Sequence, residues 1–146
     1  MKIRQATIDD LEQVSRLFAD YRVFYEQPFD IGLARSFIAD RLNQKNSVIF
    51  VAVDKDEYLG FAQLYPSFSS VGVKEIWILN DLYVNAQHRQ KGIAQMLVQH
   101  VLEYSKASGR KRVVLSTGYN NKVAQNLYKK LGFTKEEFFN YEKSTE

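Results

Sequence analysis

The chain contains no cysteine. This excludes a disulfide framework, a thiolate zinc site and any mechanism that parks an acyl group on a cysteine. Its two histidines, His88 and His100, stand apart with no cysteine to complete a ligand spacing, so no metal site is expected. No apolar run approaches the ~18 residues of a membrane span. The opening MKIRQATIDD lacks the apolar stretch of a signal peptide. A cytoplasmic protein that does not associate with membranes is expected. The formal net charge is only +3. That mild basic bias suits an anionic small molecule and falls short of the basic stripe that nucleic-acid binding needs. The P-loop pattern G-x-x-x-x-G-K-[ST], the dinucleotide pattern G-x-G-x-x-G and the nucleophile elbow G-x-S-x-G are all missing.

What is present is a core. Hydrophobic residues make up 45% and aromatics 14% of 146 residues, enough for one domain over 1–146. Residues 2–6 read as a strand with Ile3 facing in. Thr7 is a candidate N-cap, with Asp9 and Asp10 in the first helical turn. Ile8, Leu11, Val14, Leu17 and Phe18 recur at helical spacing, to about Tyr21. Pro28 breaks the stretch 21–32. A second helix carries Leu33, Phe37, Ile38 and Leu42 on one face. Strands are expected over 47–53, 58–65 and 73–84, the first two joined by a charged turn. After a loop at 85–91 a helix runs to Gly109, a helix-stop residue. Then come a strand at 112–117, a short helix at 121–131 closed by Gly132, and a last strand at 133–141. The order β-α-α-β-β-β-α-β-α-β indicates an α/β fold with a mixed, mostly antiparallel sheet flanked by helices.

The chemistry concentrates at Arg89-Gln90-Lys91-Gly92-Ile93-Ala94, directly after an apolar strand and at a helix start. The first turn of a helix has unpaired N–H groups and a partial positive charge, and a pyrophosphate satisfies both. Gly92 lets the backbone approach phosphate oxygens, Ala94 keeps the next turn small, and Arg89 and Lys91 add charge.

This stretch resembles the R/Q-x-x-G-x-G/A motif with which the GNAT N-acetyltransferases hold the pyrophosphate of acetyl-CoA. Residues 121–133 resemble the same family's N-x-x-A-x-x-L-Y-x-x-x-G-F motif, and Asn-Asp-Leu-Tyr-Val at 80–84 is similar to its preceding strand in polyamine, histone-tail and small-amine acetyltransferases. The resemblance implies that backbone groups of Leu82, Tyr83 and Val84 bind the pantetheine arm. The amides from Gln90 through Lys91, Gly92, Ile93, Ala94 and Gln95 would hold the pyrophosphate, and Asn121 the cofactor arm. It implies that Tyr128 is the general acid that protonates the leaving thiolate. Some relatives carry a glutamate base where this chain has Asn80, so the base is sought among carboxylates of the same strand, Asp81 and Glu75. Alternation puts those two on one face unless a bulge intervenes.

For the acceptor, the stretch 21–30 offers Tyr25 and Phe29 with Glu26 and Asp30, beside Asn80. Aromatic faces and carboxylates attract ammonium groups. A cationic small molecule or lysine-like amine is therefore expected, acetylated directly in a ternary complex. The rival reading is a degenerate relative that binds acyl-CoA as a sensor or regulatory module. Phe138, Phe139 and Tyr141 suggest a homodimer through the C-terminal region. The basic turn 109–112 reads first as a solvated loop, with a contact to the 3′-phosphate of CoA or to a nucleic acid as the alternatives.

Overall fold

The computed structural model describes residues 1–146. It consists of two compact units, Met1–Ser116 and Thr117–Glu146. The first is an α/β unit with strands β1 (Lys2–Gln5), β2 (Val48–Asp54), β3 (Glu57–Ser69), β4 (Lys74–Val84) and β5 (Val113–Val114), and helices α1 (Leu11–Phe24), α2 (Ile31–Gln44) and α3 (Ile93–Ser108). The strands lie in sequence order in one sheet. All neighbours are antiparallel except β4 and β5, which run parallel.

Register assigns the two faces. Antiparallel partners share a face, and Val51 pairs with Phe61 as Ile49 pairs with Gln63. Ile49, Val51 and Phe61 pack with Val14, Leu17 and Phe18 of α1 and Ala34 and Ile38 of α2. On the other face Phe50 meets His100 and Tyr104 of α3, and Trp77 meets Tyr104. Burying each large apolar side chain in this sandwich contributes ~1.5–3 kcal/mol.

The chain enters α1 as expected. Thr7 caps a single 3-10 turn, Ile8 to Asp10, while the Asp10 carboxylate accepts from the Thr7 N–H. Ile8 itself is exposed. Helix α1 outlasts its expected end at Tyr21 by three residues. The reason is aromatic: Tyr21 and Tyr25, one turn apart, sit edge to face at 5.1 Å. Strand β3 runs on through Pro66 to Ser69. Strand β2 starts opposite Leu64, so beyond that point only β4 pairs with β3, and Pro66 removes no donor from the other ladder.

In the second unit, α4 (Lys122–Lys130) starts on Asn121, whose Oδ1 accepts from the Ala124 N–H at 3.1 Å. The strand expected over 133–141 does not form, and 133–146 carry no regular structure. A strand exists only through a ladder. Here the adjacent Phe138 and Phe139 place one aromatic on each face, and Lys135, Glu136 and Glu137 interrupt the alternation. The strand expected over 112–117 shrinks to Val113 and Val114 for a related reason: β5 has β4 alone as a neighbour.

Candidate active site

Strand β4 changes phase at Asn80. Gln63 pairs with Asp81, but Leu64 pairs with Leu79, so Asn80 is an extra residue bulged out of the ladder. A bulge shifts every later side chain to the opposite face. Trp77 and Leu79 therefore face α3, while Asp81 and Tyr83 face α1 and α2. Asp81 and Glu75 part company as a result. Glu75 lies six residues back along β4, or ~20 Å, exposed on the α3 side with Arg110 at 3.7 Å. The structure does not bring the two candidate carboxylates together.

The bulge also marks where β4 loses its outer neighbour. Strand β5 covers only Trp77 and Ile78. From Leu79 to Val84 that edge of β4 has no partner strand, and it includes Leu82, Tyr83 and Val84. On the opposite edge β3 approaches closely. A Cβ on Gly60 would stand 2.6 Å from the Tyr83 carbonyl oxygen.

Asp81 is 3% exposed and has no cation paired to it. Its carboxylate accepts Asn80 Nδ2 at 2.9 Å and Gln63 Nε2. The Tyr21 hydroxyl reaches both the Asn80 carbonyl, at 3.3 Å, and this carboxylate. Burial pushes the Asp81 carboxyl up, and the three hydrogen bonds oppose that rise. Burial likewise raises Tyr21 and pushes Tyr65 up to about 12, with the charge of Asp81 adding to both. A carboxyl tuned upward beside an open strand edge is suited to accept a proton. Tyr21 itself stacks on Phe18 and meets Phe61, Tyr25 and Tyr83 edge to face.

At the end of β4 the chain turns through Ala86, Gln87 and His88 into the glycine loop. His88 Nε2 pairs with Glu57. Gln90 has φ 63° and Gly92 has φ 78°, two left-handed residues within three. Such turns curl successive N–H groups into a concave anion site. Gly92 is also the N-cap of α3, with the Met96 N–H bonding to its carbonyl. No atom lies within 4 Å of a Cβ built there, so within the chain the positive φ is what calls for glycine. Arg89 folds back onto the strand. Its Nε donates to the Val84 carbonyl at 3.0 Å and its guanidinium covers the rings of Tyr83 and Phe24.

The expected acceptor residues divide. Asp30 is the N-cap of α2, its Oδ1 accepting from the Leu33 N–H at 3.0 Å. One face of Phe29 is occupied by the Arg16 guanidinium at 5.1 Å. Tyr25 and Glu26 remain exposed at the end of α1, and Asn80 is exposed at the bulge. In the second unit Tyr128 packs edge to face on Phe133 at 5.6 Å. Arg110 of the basic turn is tucked inward, donating to the Ser67 carbonyl at 3.0 Å and stacking on Trp77. No cluster of three or more His, Asp or Glu side chains could hold a metal ion, and no helix is long and apolar enough to cross a membrane. Gln63, Tyr21 and Tyr65 were not singled out from sequence. The available signal was Gln63, a lone amide within the apolar run 59–64.

The model of the acetyltransferase (GNAT) family matches residues 13–133, across both units. The chain is 40% identical over 139 residues to the uncharacterized N-acetyltransferase YhfO of Bacillus subtilis, covering 95% of this chain and 93% of that protein. It is 29% identical over 132 residues to a probable acetyltransferase of Haemophilus influenzae, covering 90% and 86%. A crystal structure of a probable acetyltransferase superposes with TM-score 0.92 at 40% identity, covering 100% of this chain and 99% of that one. The chain therefore belongs to the GNAT family of acetyltransferases, enzymes that take their acetyl group from acetyl-CoA.

Proposed function

We propose that this acetyltransferase moves the acetyl group of acetyl-CoA directly onto a primary amine, with Asp81 accepting the amine's proton and Tyr128 protonating the departing thiolate. The observation that carries the reading is the open edge of β4. It begins after Ile78, contains the bulge at Asn80 and ends in a loop with two left-handed residues. An extended pantetheine arm fits such an edge as an added strand. Its pyrophosphate fits the loop and the N-terminus of α3. Leu82, Tyr83 and Val84 would hold the arm, and residues 90–95 the phosphates. Asn121 Oδ1 is committed to its helix cap, which leaves Nδ2 for the cofactor.

Acetyl-CoA supplies an activated thioester carbonyl. The chain supplies proton management and position. An amine is mostly protonated at neutral pH and must lose a proton before it attacks. Asp81 is buried, so it takes that proton through an intervening water. No cysteine can hold the acetyl group, which supports direct transfer in a ternary complex. A cationic acceptor is supported by the half-exposed ring of Tyr25 and the exposed Glu26 at the end of α1. The exposed Phe138, Phe139 and Tyr141 are the surface assigned to self-association.

The test is thiol release from acetyl-CoA with spermidine, lysine, tyramine and aniline as acceptors. Turnover with the cationic amines, lost in Asp81→Asn, supports the reading. Aniline outcompeting the cations would remove the cationic acceptor. No thiol release with tight acetyl-CoA binding would favour a sensor.

A further inference from the structure

The carboxylate of Asp81 is oriented by a second layer of polar groups that the acetyl transfer as described does not use. Gln63 is its cross-strand partner and is 0% exposed. A carboxamide can present either its oxygen or its nitrogen to a neighbour. The acceptor-only carboxylate calls for the nitrogen, and Ser47, just before β2, holds the oxygen end. Its Oγ donates to Gln63 Oε1 at 2.9 Å, so Nε2 is the end that faces Asp81 Oδ2. The polarity runs one way, from hydroxyl through amide to carboxylate. Asn80 Nδ2 fixes the other oxygen at 2.9 Å. Packing does not require an amide here, because the flanking Phe61, Ala62 and Leu64 are buried and apolar. A buried amide is costly unless bonded at both ends, and Gln63 is bonded at both.

We propose that Ser47 and Gln63 are positioning residues of the acetyl transfer, a buried relay that aims one N–H at Asp81 and holds its carboxylate ionised and fixed in rotamer. This rests on the reading of Asp81 as proton acceptor. Burial drives Asp81 toward the neutral form, and the Gln63 hydrogen bond is the largest of those opposing it. Tyr21 from α1 and Tyr65 from β3 also face the carboxylate, and both are held up, so neither supplies charge at neutral pH. Arg41 from α2 acts on Tyr65, and Tyr83 on the same face of β4 is engaged with Arg89. The relay is thus the means by which a carboxyl with no counter-cation keeps a usable charge.

The experiment titrates Asp81 by carboxyl carbon NMR in the full chain and, in parallel, follows the acid limb of kcat/KM with acetyl-CoA and spermidine. The variants are Gln63→Leu, Ser47→Ala and Ser47→Thr. Gln63→Leu removes a hydrogen bond to a charged group and should raise the Asp81 pKa by about one to two pH units. The acid limb should move to higher pH by the same amount, because Asp81 must be ionised to work. Ser47→Ala frees the amide to turn and should give a smaller rise, which Ser47→Thr reverses. If Gln63→Leu does not fold, the Ser47 pair decides the matter alone. An Asp81 titration unmoved in the variants overturns the relay. A moved titration with an unmoved acid limb leaves the hydrogen-bond chain to Asp81 intact but overturns Asp81 as the proton acceptor, and with it the part of Ser47 and Gln63 in the transfer.

Discussion

Two glycines offer a controlled test of the pyrophosphate cradle. Gly92 begins α3 with φ 78° and Gly109 ends it with φ 84°, and in neither case does any atom lie within 4 Å of an added Cβ. Alanine at either position meets the same obstacle, a left-handed backbone that costs an L-residue about 1 kcal/mol. For a chain of this size that is a fall in melting temperature of about 3 °C. The two variants should therefore look alike in thermal unfolding. They should differ in binding. If the loop holds the pyrophosphate, a methyl group at Gly92 takes space the phosphate oxygens need, and the loss of one hydrogen bond to a charged group, about 1.5–3 kcal/mol, should weaken acetyl-CoA binding about tenfold to a hundredfold. Gly109→Ala should leave the dissociation constant unchanged. Isothermal titration of both variants with acetyl-CoA decides between them. Equal affinities would refute the cradle and reduce Gly92 to a helix-start residue.

Gly60→Ala should displace the end of β4, because its Cβ would stand 2.6 Å from the Tyr83 carbonyl oxygen. A loss of about 1–3 kcal/mol in denaturant unfolding is expected, together with weaker acetyl-CoA binding. Asp10 is 3% exposed and accepts from Arg4 at 2.8 and 2.9 Å, from Tyr58 and from the Thr7 N–H. Chiefly the Arg4 hydrogen bonds hold its carboxyl well below the usual range. A depressed folded pKa stabilises above the unfolded value, so this contribution is complete above about pH 4 and is lost progressively as the pH falls below it. Asp10→Ala should cost about 1–2 kcal/mol at pH 7, since the Arg4 left behind is partly solvated, and flatten that acid limb of stability, as measured by urea unfolding across pH. Tyr128→Phe should lower kcat while leaving the acetyl-CoA dissociation constant nearly unchanged. Unchanged turnover would remove Tyr128 from the mechanism.

The parts of this fold that were legible in the sequence are those governed by local rules. Thr7 and Asp10 announce a helix start because a cap is made by residues three apart. Gly92 and Gly109 bracket α3 because only glycine takes a positive φ without strain. The loop motif and the motif over 121–133 named the family, which residues 13–133 bear out. Illegible was anything that depends on a partner elsewhere in the chain. Residues 133–141 carry aromatic residues suited to a strand, but aromatics do not supply a ladder. That Asp30 caps α2 through the Leu33 N–H, and that Arg16 lies over one face of Phe29, are contacts of this kind.

The turn into α3 at residues 89–95 was determined by sequence alone, because a helix N-terminus and a glycine turn are written within seven neighbouring residues. The fate of Asp81 was decided by tertiary structure. In an ideal strand it shares a face with Glu75. The register between β3 and β4 inserts a bulge at Asn80, turns Asp81 onto the α1 and α2 face, and buries it against Gln63. A hydrogen-bond register is a property of two strands at once, so neither strand's sequence contains it.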